Sequence, residues 1–541
     1  MHSIDRDMNV ALAVSYRYLT AGQQKLFRWL ALHPGDSFST HAARAIAGGD
    51  SPAGTVQALE VLLDFHLLEE LTPGRFEFHA LIRDYAADLT EAVDPEPDRQ
   101  AVTRRLLDYY LALADYADRV VHPFGRRVRL PGPAAAPALP ALGTRSECVA
   151  LLHADKTSML AAARHAAAKG WPVHAALLAH LLGGFLDTWG DWTAAIELHR
   201  RAVDAWRAAG DVGGEAMALT DLAFVLCRTG RHAEAADTAR TGLAAARAAA
   251  DEAGEAAALD TLGIILSLSA RYVEALACHD QALAIWRELG GRHGEADALS
   301  HSGMAAACLG RHRDALRRAE LALAAYRELG DLQGATNALN NLGGLQQDAG
   351  CHDDALVSYE QAEAAFLEIG DRQGEAIALS NIGDIHRLRG SHQDAIADYR
   401  AALEIFREIG DRRSETEALN GLAAAFSGAG NQRDAIEHYE KALALGMELA
   451  ERRAQAASHL GIGAVRLAAG QHLTAADDYR AALKLSQDIA DPVLEGHALF
   501  GLGHVAARTE GALAAREHWR TALARFEAAG RPEADEVRAL L

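Results

Sequence analysis

Residues 371–410 read DRQGEAIALSNIGDIHRLRGSHQDAIADYRAALEIFREIG, and the same 40-residue design recurs on both sides of them. Counting outward, an alanine stands at Ala195, Ala235, Ala275, Ala315, Ala355, Ala395, Ala435, Ala475 and Ala515, always 40 residues apart. Twelve positions before each lies another small residue: Gly183, Ala223, Gly263, Gly303, Gly343, Gly383, Ala423, Gly463 and Gly503. Nine units in one register therefore run from 171 to 530. Within the quoted unit, Leu379, Ile382 and Gly383 share a helical face, Gly390 interrupts the chain, and Ala395, Tyr399 and Ala402 follow at helical spacing. The unit reads as a helix hairpin whose small residues mark close helix crossings. One hairpin cannot bury its own apolar stripe, so the units must stack.

The order large, Leu, Gly, then Ala, aromatic, Ala resembles the tetratricopeptide repeat, and it is carried here by Leu379, Ile382, Gly383, Ala395, Tyr399 and Ala402. The period is longer than the roughly 34 residues of that repeat. About three extra residues per helix would account for it, as in the longer repeats of the kinesin light chain type. The proline usual near the end of the second helix is absent; that helix runs on into Arg-Glu-Ile-Gly-Asp at 407–411, where glycine can adopt a left-handed C-cap. The expected fold class is all-α: a tetratricopeptide-repeat superhelix of about nine hairpins, preceded by a small winged-helix domain.

The first 90 residues follow another plan. Helical patterns at 8–19, 22–32, 39–47 and 52–66 lead to a short strand at 67–71, the turn Thr72-Pro73-Gly74-Arg75, and a second strand at 76–79. Proline second and glycine third favour a type II turn, so the strands pair as a hairpin wing. Winged helices often bind DNA, yet this segment holds 7 Lys or Arg against 11 Asp or Glu, and 39–47, taken as the third helix, offers only Arg44. No direct nucleic-acid contact is expected. Beyond it, 99–121 is an amphipathic helix, Arg126, Arg127 and Arg129 form a basic loop, and Pro131, Pro133, Pro137 and Pro140 mark an extended link. The expected boundaries are a winged helix at 1–92, a helical connector at 93–130, a proline-rich linker at 131–145, capping helices at 146–170, the repeats at 171–530 and a tail at 531–541.

The stretch 62–89, LLDFHLLEELTPGRFEFHALIRDYAADL, resembles the winged-helix end of an NB-ARC module in the STAND class of signal-transducing ATPases. With the connector, basic loop, proline link and repeats, the whole order is similar to the C-terminal half of actinobacterial STAND regulators of the SARP-associated type. That family carries a Phe/Met-His-Asp motif after the wing, whose histidine lies against bound ADP. The matching residues are Phe78, His79 and Ala80, so the acidic member is missing. The resemblance implies a nucleotide role for His79 only where a partner supplies the nucleotide domain. A phosphate loop needs GxxxxGK[ST], with converging backbone N–H groups, a lysine and a hydroxyl, and no stretch of the 541 residues fits it.

Composition bounds the rest. Half of the chain is hydrophobic, and its net charge is -21, which disfavours a phosphate-binding surface. The charged start, Met1 to Asp7, is unlike a signal peptide, and no apolar run reaches the roughly 18 to 20 residues of a membrane helix. A cytoplasmic protein is expected, without a membrane partner. Five cysteines, Cys148, Cys227, Cys278, Cys308 and Cys351, lack metal or disulfide spacing and read as reduced core fillers. His232, His312, His352, His392 and His472 recur in one column, but units a helix pair apart cannot converge imidazoles on one ion, so the column is assigned to turn packing.

No metal, cofactor or catalytic constellation is expected from these spacings, and the chain reads as a non-catalytic regulator. In tetratricopeptide arrays the concave groove is lined by the first helix of each unit. In this register the lining is Asp221, Arg228, Asp260, His301, Asn337, Asn340, Asn341, Asn381, Asp384, Arg387 and Asn420. Asparagine amides both donate and accept, suiting a peptide backbone, and Asp with Arg can orient charged groups. The expected partner is a protein or peptide, with a separate P-loop NTPase domain as a further one. The other reading is a repeat-scaffold enzyme or biosynthetic accessory factor with a small-molecule site in the same cavity. Side chains disappear from one groove column at Gly421, Gly461 and Gly501, which centres the expected site on the third to seventh units.

Overall fold

The computed structural model describes residues 12–48, 52–132, 139–529, 531 and 533–541. Pro133 and Pro137 of the proline-rich link lie outside the described residues; Pro131 and Pro140 flank them in irregular backbone. The chain forms two compact units, Met1–Arg271 and Tyr272–Leu541.

The N-terminal unit begins with the winged helix. Helices Ala21–Leu30, Thr40–Ala47 and Pro52–Asp64 pack with a three-stranded antiparallel sheet of β1 (Ser37–Ser39), β2 (Glu69–Thr72) and β3 (Arg75–Glu77), in the order β1-β3-β2. Phe38 of β1 faces Phe76 of β3, and both are buried with Phe27. Gly74 takes φ +79, as the third position of a type II turn requires. The strand β1 was not expected. Thr40–Ala47 is third in chain order, after the helical residues 12–18 and Ala21–Leu30, but β1 stands before it, and the helix directly before the wing is Pro52–Asp64, which has no Lys or Arg. Arg44 is thus not on the helix that a DNA-binding winged helix presents.

The module is fastened to the helices that follow. Arg105, on helix Glu96–Val121, donates to the carbonyls of Ala45 and Ile46 at 3.3 and 2.7 Å, satisfying the C-terminal end of helix Thr40–Ala47. Arg75 of the wing reaches Asp155 at 2.7 Å and Ser158 at 3.1 Å on helix Arg145–Ala168. Arg28 grips Asp94 through two hydrogen bonds of 2.7 and 2.9 Å. Charged pairs this buried hold one geometry.

Two complete helix pairs, Pro172–Thr188 with Trp192–Ala209 and Val212–Arg228 with His232–Ala248, complete the N-terminal unit together with helix Glu252–Leu268. The C-terminal unit opens with helix Tyr272–Leu289 and continues as six pairs from Arg292 to Ala528, closed by Glu533–Leu540. That last helix occupies the expected tail, and its Ala534 and Val537 share a core with Trp519 and Phe526.

The period has a visible cause: a left-handed residue ends each half-repeat from 190 to 490. Gly390 and Gly410 take φ +77 and +75, and the same region is taken every 20 residues from 190 to 490. Aspartates then restart the first helices: the side chains of Asp211, Asp251, Asp331, Asp371, Asp411 and Asp491 accept N-terminal backbone N–H groups. The alanine column from Ala195 to Ala515 is fully buried, as close crossings demand.

No helix among the described residues is long and apolar enough to cross a membrane. The cysteines divide: Cys148 and Cys227 are buried, but Cys308 and Cys351 are exposed, so the core-filler reading fails for those two. Both sit near helix-pair turns, where the repeat leaves side chains in solvent.

Candidate functional site

The predicted groove residues all lie on first helices, and many are bonded to the neighbouring repeat. In the N-terminal unit, His180 and Asp221 form a 2.7 Å pair, and Arg228 donates to Asp187 at 3.1 Å. Both pairs join residues 41 apart, so one helical position contacts the next position of the following repeat. Burial works against charge on His180, but the Asp221 carboxylate outweighs it and holds the imidazole above its ordinary range. Burial likewise opposes the Asp221 anion, and His180 overrides that to hold its carboxyl below the ordinary range. Asp260 is half-buried on helix Glu252–Leu268.

In the C-terminal unit the same 41-residue step joins Asn381 Nδ2 to Asn340 Oδ1 at 2.9 Å. One carboxylate oxygen of Asp384 accepts from both Arg387 and the Tyr399 hydroxyl, each at 2.8 Å. Burial pushes the Tyr399 phenol up, which keeps it a donor. Ser458 donates to Asn420 at 2.8 Å. His301 is half-buried with its ring 5.6 Å from that of His279. Asn337 is exposed and Asn341 half-buried. One amide pair, one shared carboxylate and one Ser–Asn bond thus lie along successive first helices.

The glycines at 421, 461 and 501 have a packing reason. A Cβ at each would overlap the ring of Tyr399, Tyr439 or Tyr479, which reaches over from the second helix of the preceding repeat. Sequence reasoning missed these tyrosines, and also His180, Asp187 and Ser458 as partners. The signal was present in the 22-residue spacing of Tyr399 to Gly421 and the 41-residue spacing of the bonded pairs.

His79 is exposed at the N-cap of helix Ala80–Val93, where its carbonyl accepts from Ile82 and Arg83 and its side chain makes no capping bond. The repeat histidines open second helices. The His392 ring lies against Gly428, and His232 Nδ1 stands 3.7 Å from Cys227 Sγ.

A stack of helix pairs with this register is a tetratricopeptide-repeat protein, and the tetratricopeptide repeat family model matches residues 174–248, 254–328, 334–408 and 374–448. The regulatory protein AfsR of Streptomyces griseus is 32% identical over 232 residues, covering 43% of this chain and 24% of that protein. AfsR of Streptomyces coelicolor is 32% identical over 241 residues, 44% of this chain and 24% of the relative. The matched stretch is thus about a quarter of either curated relative. A STAND protein with a tetratricopeptide repeat sensor from Pyrococcus horikoshii shares the fold at a TM-score of 0.58 and 14% identity, over 89% of this chain and 65% of that one. The chain thus carries an array of tetratricopeptide repeats, and it shares its fold with a repeat-bearing solved structure.

Proposed function

We propose that the chain is the non-catalytic sensor portion of a STAND-type regulator, receiving a protein or peptide along the first-helix face of its C-terminal unit. The carrying observation is the run of half-spent polar groups on consecutive first helices. An asparagine amide offers two donors and an acceptor with two lone pairs, and the Asn340–Asn381 bond uses one of each. The remaining capacity, carried by asparagines on the three successive first helices Leu332–Asp348, Arg372–Leu388 and Arg412–Gly428, suits the amides of an extended peptide. Asp384 and Arg387 add a fixed dipole beside it. A separate P-loop NTPase domain is the second partner in this reading, docking on the winged helix, whose anchorage through Arg75 and Arg105 would transmit load to it from the connector helices.

A random peptide library displayed on phage and selected on the full chain tests the reading. Enriched peptides should bind the Asn341→Ala/Asn381→Ala variant more weakly by roughly five-fold or more, since each lost hydrogen bond is worth about 0.5 to 1.5 kcal/mol. The exposed second-helix control Gln393→Ala should bind as the parent does. Equal affinity for the parent and the double variant would move the site elsewhere.

A further inference from the structure

Four tyrosines hold one column on second helices of the C-terminal unit: Tyr359, Tyr399, Tyr439 and Tyr479, each 40 residues after the last. All four side chains are buried. The last three cross to the first helix of the following repeat, where a Cβ at Gly421, Gly461 or Gly501 would overlap the ring carbon that bears the hydroxyl. Those glycines continue the column of Asn341 and Asn381. The phenol tips therefore stand where groove side chains would otherwise be.

What the hydroxyls meet changes along the array. Tyr359 donates to Gln347 at 3.2 Å, and Tyr399 donates to Asp384 at 2.8 Å. In the two repeats after Asp384 its place is taken by Ala424 and Ala464, and that of Gln347 by Ser427 and Leu467. The hydroxyls of Tyr439 and Tyr479 make no hydrogen bond among the described residues, yet neither oxygen is sealed from solvent. Side chains only 7% and 5% exposed thus keep their one polar atom open on the groove face. Burial pushes both phenols up to about 12, so each stays a donor at neutral pH. Their surroundings on the first helices are small and apolar: Ala424 is half-buried, Ala464 is exposed, and Leu460 lies half-buried one turn before it.

We propose that Tyr439 and Tyr479 carry the peptide face one repeat further and bind a neutral, apolar stretch of an extended peptide, whose backbone carbonyls accept from the two hydroxyls. This rests on the peptide reading given above. Where the array loses the Asp384 carboxylate, alanine leaves room for an acceptor oxygen from outside. Arg387 already holds Asp384 and Arg466 holds Asp478, so a carbonyl fits this place better than a carboxylate. The spacing agrees. Helices Arg412–Gly428 and Arg452–Ala468 are in contact, and helices in contact lie about 8 to 10 Å apart. A polyproline II chain returns a carbonyl to the same side every three residues, a rise of about 9.3 Å. The two hydroxyls would thus take carbonyls three residues apart.

The random peptide library displayed on phage and selected on the full chain supplies the probes. Enriched peptides, synthesised and titrated by fluorescence anisotropy, should bind Tyr439→Phe/Tyr479→Phe more weakly by roughly five-fold or more, because two hydrogen bonds are lost. Phenylalanine keeps each ring over its glycine, and removing a hydroxyl that has no partner in the chain strands nothing. This variant should therefore melt as the parent does by circular dichroism. Parent-like affinity would overturn the proposal, and so would a lowered melting temperature, which would mean that the hydroxyls are bonded within the chain. Parent-like affinity here beside weakened binding by Asn341→Ala/Asn381→Ala would remove this extension and leave the peptide reading standing. A library from which no peptide is enriched would remove both.

Discussion

Tyr439 decides what residue 461 can be. The ring crosses from the second helix of one repeat to the first helix of the next, where a Cβ would overlap it, so Gly461→Ala must push ring or helix aside. The expected loss is about 1 to 3 kcal/mol. Tyr439→Ala alone leaves a void, but combined with Gly461→Ala it admits the new methyl, so the two losses should be strongly non-additive in urea unfolding. Additive losses would mean that the ring does not pack there. His33 makes a separate test. It is buried, bonded to the Tyr110 hydroxyl at 2.8 Å, and burial lowers its pKa from 6.5 to about 4. Because the folded value lies below the unfolded one, its contribution to stability is complete above pH 6.5 and is lost as pH falls toward about 4. Histidine-selective NMR should show the ring titrating near 4, and His33→Gln should flatten stability over that window; a midpoint at 6.5 would contradict the buried placement.

The helix ends carry the period. Most half-repeats stop at a left-handed glycine, but Ala250, Ala270, Ala450 and Ala490 take φ of 52 to 57°. An L-residue in that region costs roughly 1 kcal/mol. Ala450→Gly should therefore raise the melting temperature, and Gly410→Ala should lower it, each by an amount equivalent to roughly 0.5 to 1 kcal/mol. A lower melting temperature for Ala450→Gly would show that the turn is not strained. These elements were legible because glycine and alanine columns repeat with no insertions: the hairpin break at Gly390 and the wing turn at Gly74 both fall where the residue types place them. The strand β1 was not legible, since three residues, Ser-Phe-Ser, are too short to show alternation. The partners of the groove residues were hidden for another reason. Asn340 and Asn381 look independent in sequence, and only the offset between stacked helices makes a 41-residue step a contact. The sequence could show which face was polar, but not how much of that polarity was already used.

Across the whole molecule, the proposed peptide recognition lies on first helices of Tyr272–Leu541. The acidic balance and the helix Pro52–Asp64, which lacks Lys and Arg, leave the winged helix poorly suited to DNA. Gel shifts on random-sequence duplex pools at physiological salt should enrich no site, and enrichment of a defined sequence would contradict this. The central claim is that a partner is received on the first-helix face. Hydrogen exchange read by mass spectrometry, with and without a selected peptide, tests it most directly, because ligand contact slows local opening. Slowed exchange should concentrate in Leu332–Asp348, Arg372–Leu388 and Arg412–Gly428, with the second helices between them changed less. Protection confined to the second helices, or to the winged helix, would contradict the account.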